Sequence, residues 1–157
     1  MKKLITIALM LAMLLSLAAM PALADEPLQL TMFFPVNVGG AVAKLIEDMT
    51  AEFNEQNPDI QVQPVYTGNY DDTVTAIQTA IQGGNAPDLF VSLATQRFTM
   101  DSTKMAMRLD DIIANDPEGQ AFVDDFIDGF MLDSYVGDGS IISIPFQRST
   151  MVLFYNK

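Results

Sequence analysis

Cysteine and histidine are both missing from this sequence, and cations are scarce: 8 Lys and Arg stand against 20 Asp and Glu, a net charge of −12 over 157 residues. Without cysteine there is no disulfide frame, no thiolate metal site and no thiol nucleophile. Without histidine the usual general base and the commonest metal ligand are gone. So acidic a chain repels phosphate backbones and anionic membranes, which excludes nucleic acid as a partner. Much of enzyme chemistry leaves with those residue types, and neither a cofactor nor a metal is called for.

What is present begins with a leader. Lys2-Lys3 is a positive n-region, Leu4 to Leu15 is an almost unbroken apolar run, and Ala22-Leu23-Ala24 is a small-x-small cleavage site before Asp25. Together they read as a secretory signal peptide over residues 1–24, too short and wrongly flanked for a membrane span. No Cys stands at the cleavage site, so no lipid anchor is expected. Lys2 and Lys3 go with the leader, which leaves the exported portion, residues 25–157, still more acidic. A periplasmic, soluble protein is the expectation.

Beyond the leader, strand and helix patterns alternate. Leu28 to Phe34 reads as a strand. Ala41 to Gln56 carries Val42, Leu45, Ile46, Met49 and Phe53 at helical spacing, and Asn57-Pro58-Asp59 stops it. Ile60 to Tyr66 alternates as a half-buried strand, with Pro64 pushing it toward a sheet edge or an early end. Tyr70-Asp71-Asp72 opens a second helix with an Asp as the expected cap, and Gly83-Gly84 ends it by a left-handed turn. Leu89 to Leu93 reads as a central strand buried on both faces. This βαβαβ order predicts an α/β fold with an open, mostly parallel sheet. Farther on, Leu109, Ile112 and Ile113 predict a short helix. Pro117 and the stripe Phe122, Phe126, Ile127, Phe130 predict a longer one, Gly137-Asp138-Gly139 a hairpin turn, and Met151 to Tyr155 a buried strand.

Three stretches in register, "FNEQNPDIQVQPVYTGNYDDT", "GGNAPDLF" and "IPFQRSTMVLFYNK", resemble the extracellular solute-binding proteins that serve ABC importers. The nearest branch is that of the glycerol-3-phosphate-binding and sugar-binding proteins. The resemblance implies a type II periplasmic-binding-protein lobe. In that family two α/β lobes joined by a hinge clamp a solute, and the loaded protein docks on an inner-membrane permease. By this resemblance residues 25–157 are the N-terminal lobe of a longer protein, ending at the hinge strand. A small solute (a sugar, a polyol or a phosphate ester) and an ABC permease are the implied partners, and a monomer is expected.

In open α/β sheets ligands sit beyond the carboxyl ends of the strands. One loop there holds Gly39 and Gly40, where a bare backbone can approach a ligand, although a tight turn needs glycine equally. A second holds Tyr70, an aromatic able to stack on a sugar face or merely to staple the helix start. The resemblance assigns it ligand contact through the shared "GNY". In the third, Ser149 matches a ligand-contacting Ser. Arg148 departs from the family pattern and reads equally as a ligand contact, clamping a phosphate or carboxylate or stacking beneath a sugar, or as a structural ion pair. Where the glycerol-3-phosphate binders have a contacting Glu this chain has Ala94, so Thr95 and Gln96 become the candidates beside it, and the solute need not be glycerol-3-phosphate. The rival reading is an exported carbohydrate-active enzyme using paired carboxylates. Its candidates, Asp71-Asp72, Asp110-Asp111 and Asp124-Asp125, are sequence neighbours, which a helix points in different directions.

Overall fold

The computed structural model describes residues 26–35, 41–149 and 152–156. The expected leader and the Gly39-Gly40 pair lie outside the described residues. Three strands form one parallel sheet: β1 (Leu28–Phe34), β2 (Ile60–Tyr66) and β3 (Leu89–Phe90), in the order β2-β1-β3. β1 pairs with β2 in a straight register from Leu28–Ile60 to Phe34–Tyr66, and with β3 at Met32–Leu89 and Phe33–Phe90.

Helix α1 (Ala41–Gln56) joins β1 to β2, and α2 (Tyr70–Gln82) joins β2 to β3. The amphipathic reading of α1 holds in part. Ile46 is 4% exposed, but Leu45, Met49 and Phe53 stay 40–56% exposed. α1 leans on β2, where the Asn54 side chain acts as a surrogate strand. Its Oδ1 accepts from the Val62 N–H at 2.7 Å, and its amide donates to the Val62 carbonyl at 3.0 Å. The outer edge of β2 is thus partly closed, and Pro64 sits on that edge strand, where its missing N–H does little harm.

The cap of α2 is Asn69 rather than an Asp. Asn69 Oδ1 accepts from the N–H groups of Asp71 and Asp72 at 2.8 and 3.0 Å, and Asp72 returns the bond to Asn69 N–H at 3.1 Å. This reciprocal box leaves Asp72 three residues into the motif instead of at its head. At the other end Gly84, at φ +74°, supplies the left-handed step. Asn85 N–H reaches the Ala80 carbonyl at 2.9 Å and Gly84 N–H the Ile81 carbonyl at 3.1 Å, as a Schellman end requires.

β3 departs from expectation. It spans two residues at a sheet edge, and Leu89 is 47% exposed; β1 is the central strand. One more bond, Val91 N–H to the Phe33 carbonyl at 2.9 Å, follows before the chain turns off. Asp88 of "NAPDLF" fixes the pairing, since its backbone N–H donates to the Thr31 carbonyl at 3.0 Å and its Oδ2 accepts from Thr31 N–H at 2.8 Å.

The chain then winds through one-turn and two-turn helices. These are a 3-10 turn at Ala94–Gln96, α3 (Arg97–Ser102), α4 (Asp110–Asn115), α5 (Gly119–Asp124), α6 (Asp128–Met131) and a 3-10 turn at Leu132–Ser134. The longer helix expected after Pro117 is broken in two. Val123 and Met131 enter the core, while Phe122, Ile127 and Phe130 of the expected stripe stay 41–65% exposed. Two small clusters organise this region: Met100, Val136 and Ile142, and Val123, Met131 and Ile141. The hairpin turn forms as expected, with an isolated antiparallel bridge between Tyr135 and Ile141 and Gly139 at its corner. Val152 to Asn156 form no strand and are exposed, Leu153 and Phe154 by 90% and 89%. A strand needs a ladder partner, and among the described residues none pairs with them.

Candidate functional site

Because all three strands are parallel, their carboxyl ends lie along one edge of the sheet. The chain runs from β1 to β2 on one side and returns past β1 to β3 on the other. That makes the edge between β1 and β3 a switch point of the kind where α/β sheets bind ligands.

A buried polar knot holds this edge together. Thr67, just past β2, donates its N–H to the Phe34 carbonyl at the end of β1 at 3.1 Å. The Thr67 hydroxyl lies 3.1 Å from the same carbonyl and 2.7 Å from the hydroxyl of Thr73, which is fully buried in the first turn of α2. The Thr73 hydroxyl also lies 2.9 Å from the Asn69 carbonyl. Two strand ends and one helix start are thereby fixed relative to each other, with Tyr70 between Asn69 and the knot.

Tyr70 is half-buried, and its hydroxyl accepts a hydrogen bond from the Gln147 amide at 2.9 Å across 77 residues. That contact brings the segment Gln147-Arg148-Ser149 to the mouth of the sheet, with Ser149 exposed. Gln96 joins from a third direction. Its amide donates to Asp71 Oδ1 at 3.3 Å, and its carbonyl oxygen accepts the Leu93 N–H at 3.1 Å. Thr95 is exposed beside it. Hydroxyl, phenol, carboxamide and carboxylate groups from three separated segments therefore line one margin. Of the sequence candidates, Tyr70, Gln96 and the 148–149 segment are linked by this network, Thr95 adjoins it, and Gly39 and Gly40 fall outside the described residues.

Arg148 is largely committed elsewhere. Its Nη1 pairs with Asp133 Oδ2 at 3.3 Å, its Nη2 donates to the Phe130 carbonyl, and its guanidinium lies 5.9 Å from the Phe130 ring centre. Arg97 takes the other oxygen of Asp133 at 3.5 Å and also donates to the Tyr135 and Ala94 carbonyls at 3.1 and 2.9 Å. Arg148 thus pairs with Asp133, while its buried Nε has no hydrogen-bond partner among the described residues. Sequence reading missed Thr67, Thr73 and Asp133, and it gave no individual role to Asn69 and Gln147, which stand in two of its candidate loops. Only the Asn69 cap had a local signal, the Asn-x-x-Asp spacing of a capping box.

The paired carboxylates do not converge. Asp72 serves the cap, Asp110 accepts from the Ile141 N–H at 3.2 Å, and Asp124 accepts from Gln120 at 2.8 Å. Among the described residues no group of three or more Asp or Glu is placed to hold a metal ion, and no helix is long and apolar enough to cross a membrane.

A family model described as bacterial extracellular solute-binding protein matches residues 48–157. The sn-glycerol-3-phosphate-binding periplasmic protein of Salmonella paratyphi A is 32% identical over 148 residues, covering 91% of this chain and 33% of its own. Its namesake from Escherichia coli is 31% identical over 130 residues, covering 81% and 29%. The chain thus spans about a third of the length of the curated relatives it matches. Among solved structures, an ABC substrate-binding protein from Listeria monocytogenes in complex with cycloalternan aligns with TM-score 0.57 and 26% identity, over 73% of this chain and 28% of that one. A family 1 extracellular solute-binding protein from Alicyclobacillus acidocaldarius aligns with TM-score 0.59 over 75% and 28%; at 18% identity it speaks for the fold alone.

Proposed function

The chain belongs to the bacterial extracellular solute-binding protein family, and from that premise we propose that residues 25–157 form one lobe of a two-lobed periplasmic receptor that delivers its solute to an ABC permease. The solute is a sugar, a polyol or a glycerol-3-phosphate-like compound. The named relatives support this range: the curated ones carry sn-glycerol-3-phosphate binding in their names, and the Listeria structure holds cycloalternan. The signal peptide read in residues 1–24 supplies the export the role requires.

The observation that carries the reading is the Gln147–Tyr70 hydrogen bond at the strand-end margin. It joins the segment of Ser149 to the aromatic at the start of α2, which supports a ligand-facing margin built from residues far apart in sequence. In the working protein Tyr70 packs against the solute, Ser149, Thr95 and Gln96 exchange hydrogen bonds with it, and Gly39-Gly40 lets backbone N–H groups approach. Closure follows because the solute binds the closed state better than the open one. No bond in the solute is made or broken.

The test is thermal stability and calorimetry on the intact exported protein with a panel of sugars, polyols and phosphate esters. Saturable stabilisation by one class, with the solute recovered unchanged, is the expected outcome, because a ligand of the native state stabilises it by mass action. Turnover of the solute would reject the reading. Tyr70→Ala should weaken binding at least tenfold, about 1.4 kcal/mol.

A further inference from the structure

We propose that Asp133 is a positioning residue for solute capture. It binds the arginines of two separate segments, Arg97 and Arg148, and so keeps the turn of Thr95 and Gln96 in register with the segment of Gln147 and Ser149. The proposal rests on the solute-capture reading above and concerns how the margin is held together, whatever solute it takes.

The segment that carries Ser149 has little of its own to hold it. Residues 143–149 belong to no helix or strand, and among the described residues none of them makes a backbone–backbone hydrogen bond. Chain of this kind lies at the low-stability end of a fold and stays where its side chains are gripped. Ile144 packs on the cluster of Val123, Met131 and Ile141, and Gln147 reaches the Tyr70 hydroxyl at 2.9 Å. Arg148 reaches Asp133 Oδ2 at 3.3 Å and the Phe130 carbonyl. The Tyr70 contact is one hydrogen bond between neutral groups, whereas the bonds of Arg148 are charge-assisted and stronger. The grip on Arg148 therefore sets where Gln147 and Ser149 lie.

Asp133 is the fixed end of that grip. Its 3-10 turn is flanked by Met131, 4% exposed, and contains the fully buried Ser134, whose carbonyl accepts the Ile142 N–H at 3.1 Å. The two carboxylate oxygens serve different segments, Oδ1 facing Arg97 at 3.5 Å and Oδ2 facing Arg148 at 3.3 Å. Arg97 is anchored further, since its Nε donates to the Tyr135 carbonyl at 3.1 Å and its Nη1 to the Ala94 carbonyl at 2.9 Å. Ala94 opens the turn of Thr95 and Gln96. One carboxylate thus joins that turn to the segment of Ser149.

Arg148 has less to fall back on than Arg97. Its buried Nε has no partner among the described residues, so Asp133 and the Phe130 carbonyl are its hydrogen-bonded holds there. Neutralising Asp133 leaves two arginines, their side chains only 20% and 24% exposed, without the counter-charge they share. Like charges so placed repel, and a partly buried charge stripped of its partner is costly. Arg97 sits at the start of α3, but Arg148 rides on chain with no ladder to resist displacement. Its movement carries Gln147 and Ser149 with it and breaks the bond to Tyr70. Asp133 thereby acts on the solute through other residues, with no contact of its own required.

The first measurement needs no solute. The intact exported protein is labelled with carbon-13 at the tyrosine Cζ, and the Tyr70 resonance, which senses the hydrogen bond at its hydroxyl, is identified as the one lost in Tyr70→Phe. Gln147→Ala gives the full displacement that follows when that bond is broken. Asp133→Asn, which keeps the shape but not the charge, should move the resonance at least half as far in the same direction. Asp133→Glu, which keeps the charge at a side chain 46% exposed, should move it much less. The second measurement is calorimetry with glycerol, sorbitol, maltose and sn-glycerol-3-phosphate. For whichever binds the wild type, Asp133→Asn should raise the dissociation constant about three- to tenfold, the scale of two partly exposed ion pairs. Ile46→Ala, a core truncation beneath α1, should lower the melting temperature at least as much and leave that constant within about twofold. A Tyr70 resonance unmoved by Asp133→Asn overturns the inference, as does a dissociation constant raised no more than by Ile46→Ala. Equal displacement by Asp133→Asn and Asp133→Glu overturns the charged bridge. Binding of no compound rejects the capture reading, while the Tyr70 resonance still decides whether Asp133 holds the segment.

Discussion

The knot of Thr67 and Thr73 makes a quantitative prediction. Replacing Thr73 by Val keeps shape and size but deletes the hydroxyl, which is fully buried and lies 2.7 Å from Thr67 Oγ1 and 2.9 Å from the Asn69 carbonyl. Neither partner is left stranded. The Asn69 carbonyl still accepts the Thr73 backbone N–H at 2.9 Å, and the Thr67 hydroxyl keeps the Phe34 carbonyl at 3.1 Å. The cost is therefore that of net hydrogen bonds lost rather than of orphaned groups, about 1–2 kcal/mol. Thr67→Val should cost a similar amount for the same reason. The hydroxyl–hydroxyl contact belongs to both residues and can be lost once only. The double variant should therefore cost about 1 kcal/mol less than the sum of the singles. Urea unfolding of the intact protein measures this. Each single variant should lower the midpoint of the transition that includes this lobe by about 0.5–1 M at unchanged slope. Additivity within a few tenths of a kcal/mol would mean that the two hydroxyls do not interact, and the knot would then not be what aligns β1, β2 and α2.

Gly68 has φ +100°, and a Cβ there would stand 2.5 Å from Asp72 Oδ2. Gly68→Ala should therefore strain the turn and break the capping box, at about 1–3 kcal/mol, and should weaken solute binding more than a distant variant of equal instability. The hairpin turn should respond to acid. Asp138 is held down to about 2 from an ordinary 3.8, first by the Ser140 backbone N–H and then by Arg108. A depressed carboxylate contributes stability that is complete above its unfolded value, so the contribution fades as pH falls from about 4 toward 2. The protection factors of the Ser140 and Ile141 amides, relative to unstructured peptide at the same pH, should fall in that window in the wild type, and Asp138→Asn should flatten the dependence.

Elements specified by short-range chemistry were legible. The bounds of β1, α1 and β2 follow from alternation, a helical stripe and the Asn57-Pro58 stop, and the observed elements match them residue for residue. Of the two outcomes Pro64 left open, an edge strand or an early end, the edge is the one observed, because its missing N–H is tolerated there. What long-range packing decides was not legible. Leu89 to Leu93 is as apolar as a central strand, yet the Gln96 side chain captures the Leu93 N–H and turns the chain out of the sheet. The stripe from Phe122 to Phe130 would suit a continuous helix, but the core takes Val123 and Met131, and the chain breaks between them to present both.

The same distinction governs the candidate site. Tyr70 could be named from its "GNY" context, but no periodicity marks Gln147, 77 residues away, as its partner. Arg148 left an anion clamp and an ion pair equally open, because one cation among many carboxylates does not announce which one it will find. The decisive residue is Asp133, on a 3-10 turn whose position depends on two small apolar clusters. Its two oxygens hold Arg97 and Arg148 together, so the charge at the mouth is fixed by the packing of the segment after β3.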